Sequence, residues 1–190
     1  MSKSFHVDSI QKWESFEFDG STYCLAHLSA HEIKPKNETM SEKFIVTYGL
    51  HCFAKADTGH NISLEYADGR ESLPICLERY HASKKIRPLI GQIASQAVHQ
   101  TTHAKYFSVY ANIVNPITEE KEPYKICMAI FKENRKLRMH ITTAFFVREG
   151  EGSPETPISS QRKCIFDIAK ATIKAPRNTT WPKEPNNRMK

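Results

Sequence analysis

Three strand-like segments follow one another in the second half of the chain, and they constrain the fold more than any other feature. They read KYFSVYANIV, YKICMAIF and KLRMHITTAFFVR, at residues 105–114, 124–131 and 136–148. Each is rich in β-branched and aromatic residues, which fit the pleated surface of a sheet. Because the connection KENRK between the second and third is short, these two segments are predicted to form an antiparallel hairpin. The three segments together predict an antiparallel meander.

An amphipathic helix is predicted just before the meander, at residues 84–98. Its apolar residues recur every three to four positions, which is the period of one helix face. Pro88 indicates that the regular helix begins near Arg87, since proline is tolerated in a first turn. A second helix is predicted at residues 159–174.

Further strands are predicted in the first half of the chain. Asp19-Gly20 lies between β-rich flanks, which is a strong hairpin signal. Residues 44–55, FIVTYGLHCFAK, alternate as a strand, with Gly49 marking a bulge or a close backbone approach, and residues 61–66 form a shorter strand between turns. We therefore predict an α+β fold, with a mostly antiparallel sheet of about five to six strands, one main packed helix and a second C-terminal helix.

Composition along the chain predicts one folded domain followed by a tail. We expect residues 1–150 to form a single α+β globular domain, and residues 151–175 to form an acidic linker and the C-terminal helix. Residues 176–190 contain several prolines and asparagines and are predicted to be a basic, flexible tail.

The positive charge of the chain is concentrated at its C-terminal end. The net charge is +6, and from Ser160 onward eight lysines and arginines stand against two acidic residues. A basic end can displace counterions and follow the phosphates of a nucleic acid. It can equally be a solvated tail, and the sequence leaves both interpretations open.

The sequence predicts a cytoplasmic protein without a membrane span. It contains no run of about 18 apolar residues, which a transmembrane helix needs. The first 16 residues lack the apolar core of a signal peptide. The five cysteines are dispersed and odd in number, which favours reduced thiols over a disulfide framework.

Candidate catalytic residues come from the last strand-like segment and from three other places. Alternation places Arg138, His140 and Thr142 on one face of that segment, with Leu137, Thr143 and Phe145 on the face that reads as core. Histidine can move a proton from a 2′-hydroxyl, and arginine and lysine can stabilise a phosphorane. The alternatives are half-buried histidines with satisfied hydrogen bonds and a polar sheet face with cross-strand pairs. The predicted catalytic set is His51, His140, Arg79, Lys105, Arg138 and Thr142.

A second set of basic residues is predicted to contact nucleic acid. Some of these lie at the expected entrance of the main helix, where helix N-termini and arginines both favour anions; the alternative is an ordinary charged helix start. The set comprises Arg70, Lys84, Lys85, Arg148, Arg162 and Lys163.

A zinc site is a further interpretation of the histidines and cysteines. His51, Cys52, Cys76 and His81 are suitable ligand types, but their spacing matches no known zinc pattern. Strand alternation would also place His51 and Cys52 on opposite faces. We therefore expect no metal and no cofactor.

The order helix, loop and three antiparallel strands ending in KLRMHITTAFF resembles the barnase-EndoU-colicin-RelE superfamily of small ribonuclease toxins. The resemblance covers about residues 84–148, in the C-terminal two-thirds of the chain. It implies an α+β fold and metal-independent cleavage of RNA. The expected partner is RNA or another nucleic acid, and a protein inhibitor or antitoxin is a further hypothesis that the sequence leaves open.

Two functional hypotheses from different classes follow. The first is a toxin- or defence-type ribonuclease that uses general acid–base chemistry. The second is a non-enzymatic binding module that contacts nucleic acid or a protein through a polar sheet face and the basic tail. The enzyme requires the histidines and arginines to converge in one cleft, whereas the binding module would spread them over a flat face.

Overall fold

The computed structural model describes residues 13–38, 41–56, 58–100, 106–148 and 162–175. Within these ranges it shows the predicted α+β fold, with a mostly antiparallel sheet, a main helix that is bent into two parts, and a C-terminal helix. None of the described helices is both long and apolar enough to cross a membrane. The predicted tail, at residues 176–190, and Lys105 lie outside the described residues, as does most of the predicted linker.

Seven strands form the main sheet among the described residues, against the five to six that the sequence predicts. Their order is β11-β7-β8-β9-β10-β4-β3, and every neighbouring pair is antiparallel except β10 with β4. The strands are β3 (His31–Ile33), β4 (Phe44–Tyr48), β7 (Val98–Gln100), β8 (Tyr106–Val114), β9 (Lys121–Glu133), β10 (Lys136–Phe146) and β11 (Arg162–Lys163).

Two small hairpins and three helices complete the described structure. The hairpins pair β1 (Phe16–Phe18) with β2 (Ser21–Tyr23), and β5 (Asn61–Ala67) with β6 (Ser72–Cys76). The helices are α1 (Leu77–Ser83), α2 (Ile86–Gly91) and α3 (Ile165–Lys174), and short 3-10 turns lie at Ala26–Leu28, Leu50–Cys52 and Ile93–Ser95.

Two of the predicted tight turns are confirmed by their backbone angles. Asp19 and Gly20 have φ values of 48° and 70°, and Asn134 and Arg135 have φ values of 47° and 66°. Two successive residues with positive φ produce the turn whose twist matches that of antiparallel strands. The KENRK segment therefore joins β9 to β10 as a hairpin, as its length predicts.

The main core lies on one face of the sheet. The apolar residues of β4, β8, β9 and β10 on this face pack against the helices and the first hairpin. Helix α3 contributes Ile165, Phe166, Ile168 and Ala169 to the same core, so it packs with the sheet. The opposite face carries a smaller buried cluster of Tyr106, Ala129 and Phe131, next to the buried side chains of Arg138 and His140.

The main helix begins earlier than predicted and is interrupted. Helix α1 begins at Leu77, directly after β6, and α2 begins at Ile86, two residues before Pro88. The break falls between Ser83 and Ile86, where a proline in the first turn of α2 cannot donate a backbone hydrogen bond. Lys84 and Lys85 therefore lie at the junction of the two helices and not at the entrance of one.

A bulge in β10 reverses the predicted faces at the end of that strand. The pairing with β9 shifts by one residue between Ile141 and Thr143. An extra residue moves every later side chain to the opposite face. Ala144 and Phe146 consequently enter the core, and Thr143 and Phe145 lie on the other face, contrary to the simple alternation.

Candidate functional site

Three of the predicted catalytic residues meet at the edge of β10 next to the bulge. Strand β4 ends at Tyr48, seven residues before the predicted end of that strand, and the chain turns into the 3-10 turn Leu50–Cys52. Gly49 still donates its backbone N–H to the carbonyl of Ile141, at 2.8 Å. Beyond this bond, the 3-10 turn and α1 pack against β10 in place of a strand. His51 and Arg79 are thereby carried to the same place.

Arg79 joins α1 to the turn and to the bulge. Its Nη1 donates to the backbone oxygen of His51 at 2.7 Å and to Oγ1 of Thr143 at 3.1 Å. The guanidinium also lies over the ring of Phe145, 5.6 Å from its centre. Burial lowers the pKa of Arg79, but a guanidinium remains charged in proteins. Arg79 therefore places a fixed positive charge against the backbone oxygen of His51.

The imidazole of His51 is paired with a carboxylate. Its Nε2 lies 2.9 Å from Oε1 of Glu71, and the two side chains are 41% and 43% exposed. Glu71 comes from the turn between β5 and β6, twenty residues along the chain. In this arrangement an acidic residue orients a histidine that could act as a base. Both side chains are accessible to solvent.

His140 lies next to Gly49, two residues before His51 in the chain, and is held neutral. Its Nδ1 is 2.9 Å from Oγ1 of Thr47 on the neighbouring strand, and its side chain is buried. Its Nε2 faces Gly49, where a Cβ would approach it to 3.3 Å. Burial, with a smaller contribution from Arg70, lowers the pKa of His140 to about 3. We call the set His51, Glu71, Arg79, His140 and Thr143 the bulge site.

Arg70 lies at the rim of the bulge site. It precedes Glu71 in the β5–β6 turn, is exposed, and contributes to lowering the pKa of His140. Of the six predicted catalytic residues, His51, Arg79 and His140 belong to the bulge site, and Thr142 lies next to it. Oγ1 of Thr142 donates to the carbonyl of Cys127 at 3.2 Å, so its side chain serves the bulge itself.

The remaining predicted residues lie elsewhere. Arg138 is buried two residues before His140, and its Nη2 is 3.0 Å from Glu133, towards the β9–β10 turn. Lys84 and Lys85 are exposed, with the Lys84 ammonium 4.7 Å from the ring centre of Tyr80. The edge strand β11 exposes Arg162 and Lys163. The structure therefore separates these residues from the bulge site.

Arg148 lies in a network of carboxylates at the far end of β10. Its guanidinium contacts both oxygens of Glu78, at 2.6 and 3.2 Å, and Oε2 of Glu122, at 2.8 and 2.9 Å. Asn115 donates to both carboxylates, at 2.9 and 2.7 Å. Glu78 is the neighbour of Arg79 on α1. The network therefore anchors the helix that supplies Arg79 to the bulge site.

The described residues give no support to the zinc interpretation. Among the described residues, no group of three or more histidines, cysteines and acidic residues is arranged to hold a metal. Cys52 is buried, donates its Sγ–H to the carbonyl of Ile141 at 3.6 Å, and has a pKa raised to about 12 by burial. A thiol with such a pKa is a poor source of thiolate ligand.

Two members of the bulge site were not predicted from the sequence. Simple alternation predicts Thr143 on the core face, because it does not anticipate the bulge in β10. Glu71 is distant from His51 in the sequence and carries no local motif; its one signal is its position in the Asp68-Gly69 turn next to Arg70. For Gly49 the sequence predicts a bulge or a close backbone approach; the structure shows the close approach, and the bulge lies in β10.

Comparisons with known proteins identify relatives of the chain. The model of the YjaZ family matches residues 15–173, which include every member of the bulge site. The chain is 32% identical over 151 residues to Protein YjaZ from Escherichia coli (strain K12), an alignment that covers 74% of this chain and 83% of that protein. No solved structure matches the chain.

Proposed function

The chain belongs to the YjaZ family, a name that specifies no reaction, and we propose from the bulge site that it cleaves RNA by metal-independent acid–base chemistry. The observation that carries this proposal is the pair of His51 and Glu71, a solvent-accessible imidazole with a carboxylate at 2.9 Å. A positioned histidine can contribute about 10²–10⁴-fold to a reaction that transfers a proton.

His51 is the proposed general base. It takes the proton of a ribose 2′-hydroxyl, the 2′-oxygen forms a bond to phosphorus, and the bond from phosphorus to the 5′-oxygen breaks. The departing 5′-oxygen takes a proton from solvent, and the product carries a 2′,3′-cyclic phosphate. This reaction needs a base and nearby positive charge, and the bulge site supplies both.

Arg79 and Arg70 are the proposed source of positive charge. Arg79 makes both of its hydrogen bonds through Nη1, and among the described residues its Nε and Nη2 make none. These two atoms can donate to non-bridging phosphate oxygens, as arginine does in paired fashion. Arg70, exposed in the adjacent turn, adds a second cation at the rim.

His140 is proposed to position the site and not to act as the base. Because burial lowers its pKa to about 3, it is neutral at physiological pH and holds Thr47 at 2.9 Å. It fills the space behind Gly49, and thereby supports the turn that carries His51. Between the two predicted bases, the geometry favours His51.

The test is cleavage of a synthetic RNA by purified protein in the presence of EDTA. We expect the wild type to cleave the RNA, to leave cyclic phosphate ends, and to spare the same sequence with 2′-deoxyribose. His51→Ala should reduce the rate about 100-fold or more. His81→Ala is the matched control, because His81 is partly exposed on α1 and packs beside Tyr23 and Tyr80, outside the bulge site.

The ribonuclease proposal would be wrong if folded wild-type protein cleaved no RNA, or if His51→Ala cleaved as fast as His81→Ala. Cleavage of the 2′-deoxyribose analogue would also exclude the 2′-hydroxyl as the nucleophile. Circular dichroism of each variant separates a loss of the base from a loss of the fold.

A second candidate function is the non-enzymatic binding module. The observation that favours it is the exposure of Arg162 and Lys163 on an edge strand, away from the bulge site. If RNA is bound but not cleaved, replacing both residues by alanine should weaken binding of all sequences alike. The slope of log affinity against log salt should then fall by about 1–2, since two phosphate contacts are lost.

A further inference from the structure

We propose that Glu71 is a positioning residue that fixes the tautomer of His51, so that Nδ1 is the atom that accepts the proton. This inference rests on the proposed function and deepens it. It assigns a role to a residue that no sequence pattern identifies, and it names the atom at which the chemistry takes place.

The argument begins with the chemistry of the contact. An ionised carboxylate can only accept hydrogen bonds, so the 2.9 Å contact between Glu71 Oε1 and His51 Nε2 requires the proton on Nε2. A neutral imidazole carries one such proton, and Nδ1 then holds a lone pair. Among the described residues Nδ1 makes no hydrogen bond, which leaves it available to a substrate hydroxyl.

The backbone of the β5–β6 turn delivers the carboxylate. Oδ1 of Asp68 accepts from the N–H groups of Arg70 and Glu71, at 2.9 and 3.2 Å, and Asp68 N–H donates to the Glu71 carbonyl at 3.1 Å. Side-chain bonds of this kind stabilise a turn. The backbone of Glu71 is thus held in a defined turn.

The hairpin is tied to the segment that carries His51. Cys76 donates its N–H to the carbonyl of Phe53 at 3.0 Å, and Lys55 donates to that of Pro74 at 3.1 Å. Phe53 is only two residues from His51. These backbone hydrogen bonds join the hairpin to the segment that follows the 3-10 turn, and so place Glu71 next to His51.

The contact between His51 and Glu71 matters for the chemistry of the ring more than for the stability of the fold. Both side chains are about two-fifths exposed, and exposed ion pairs contribute little to folding. The carboxylate nevertheless selects one of two tautomers, and it stabilises the imidazolium that forms when Nδ1 takes a proton. In the other tautomer Nδ1 carries the proton. It would then donate a hydrogen bond to the substrate and could not accept the proton of the hydroxyl.

The test measures the tautomer of His51 by nitrogen NMR at alkaline pH, in protein labelled at its histidine ring nitrogens. We expect wild-type Nε2 to be the protonated nitrogen and Nδ1 the unprotonated one. In Glu71→Ala both shifts should move towards the average of two exchanging tautomers, and kcat should fall about tenfold or more while KM changes little. Glu65→Ala is the matched control, because Glu65 lies in the same hairpin and binds Ser72.

The outcomes separate this inference from the function on which it rests. Mixed tautomers in the wild type, or an unchanged spectrum in Glu71→Ala, would overturn the role of Glu71 even in an active ribonuclease. A single Nε2–H tautomer that Glu71→Ala abolishes supports the role of Glu71 in holding the ring, and if such protein cleaves no RNA, the ribonuclease proposal alone fails. A change in KM without a change in kcat would contradict a positioning role.

Discussion

Gly49 lies where the backbone of β4 leaves its partner strand and passes the bulge of β10. A Cβ built on it would meet the carbonyl oxygen of Thr142 at 3.0 Å and Nε2 of His140 at 3.3 Å. The first of these atoms is backbone in a hydrogen-bonded strand, and the second is a buried ring that cannot swing away. The absence of a side chain at this residue therefore allows the 3-10 turn to approach β10.

Gly49→Ala is expected to destabilise the protein by about 1–3 kcal/mol, the usual cost of forcing an extra carbon into a packed site. Chemical denaturation measures the change. Gly91→Ala is the control, because nothing lies within 4 Å of a Cβ at Gly91, the last residue of α2, and we expect it to be neutral or stabilising. An equal effect at the two glycines would contradict the close approach.

At the scale of single residues, the sequence predicts residues that are recognisable by their type or local pattern, and it does not predict residues whose role depends on distant contacts. Gly49 stood out because glycine is unusual within a strand-like run, and His51 and Arg79 stood out by chemical type. Glu71 and Thr143 depend on a contact twenty residues away and on a bulge, respectively. Neither feature leaves a periodic signal in the chain, so neither could be predicted from it.

Between elements, the Arg148 network holds α1 against the ends of β9 and β10. Arg148 is the cation between Glu78 and Glu122, and Glu78 is buried. Removing one partner of a buried pair leaves the other charge without compensation, which costs more than the pair itself contributes. This arrangement favours a structural role for a residue that the sequence assigned to nucleic-acid binding.

Arg148→Met is expected to destabilise the protein by about 2–4 kcal/mol, somewhat below the full cost of a broken buried pair, because Arg148 keeps some exposure. Lys43→Met is the control: Lys43 and Glu32 form a pair at 2.6 Å whose side chains are both more than half exposed, so its loss should cost less than about 1 kcal/mol. Urea denaturation of the two variants tests the difference. Equal losses of unfolding free energy in the two variants would show that the network contributes no more to stability than an exposed ion pair.

The meander and the first hairpin were predictable at the scale of elements because their signals are local. Asp19-Gly20 and the KENRK turn specified their hairpins, and the long apolar strands specified β8, β9 and β10. The parallel pairing of β4 with β10 was not predictable, since it joins Phe44 to Leu137 across about half of the chain. The end of β4 at Tyr48 follows from that pairing, because the bulge leaves β10 without a straight edge to extend it.

In the molecule as a whole, several histidines are held in their neutral form. Burial lowers the pKa of His140 to about 3 and that of His27 to about 4, where Lys84 contributes as well. The pKa values of His31 and His81 are also lowered, chiefly by burial. In the unfolded chain each of these groups returns to the ordinary pKa of about 6.5. The unfolded state therefore binds more protons than the folded state below that pH.

Acidification is thus expected to destabilise the fold, with the loss beginning as the pH falls through about 6.5 and continuing towards the folded pKa values. His140 alone should account for up to about 2 kcal/mol between about pH 7 and about pH 5, since its folded form stays neutral over that range. His140→Asn, which keeps a polar group near Thr47 but cannot titrate, should be less stable at neutral pH yet lose less stability on acidification. Urea denaturation across this range measures both slopes. Parallel slopes for the variant and the wild type would show that His140 is not held neutral in the folded protein.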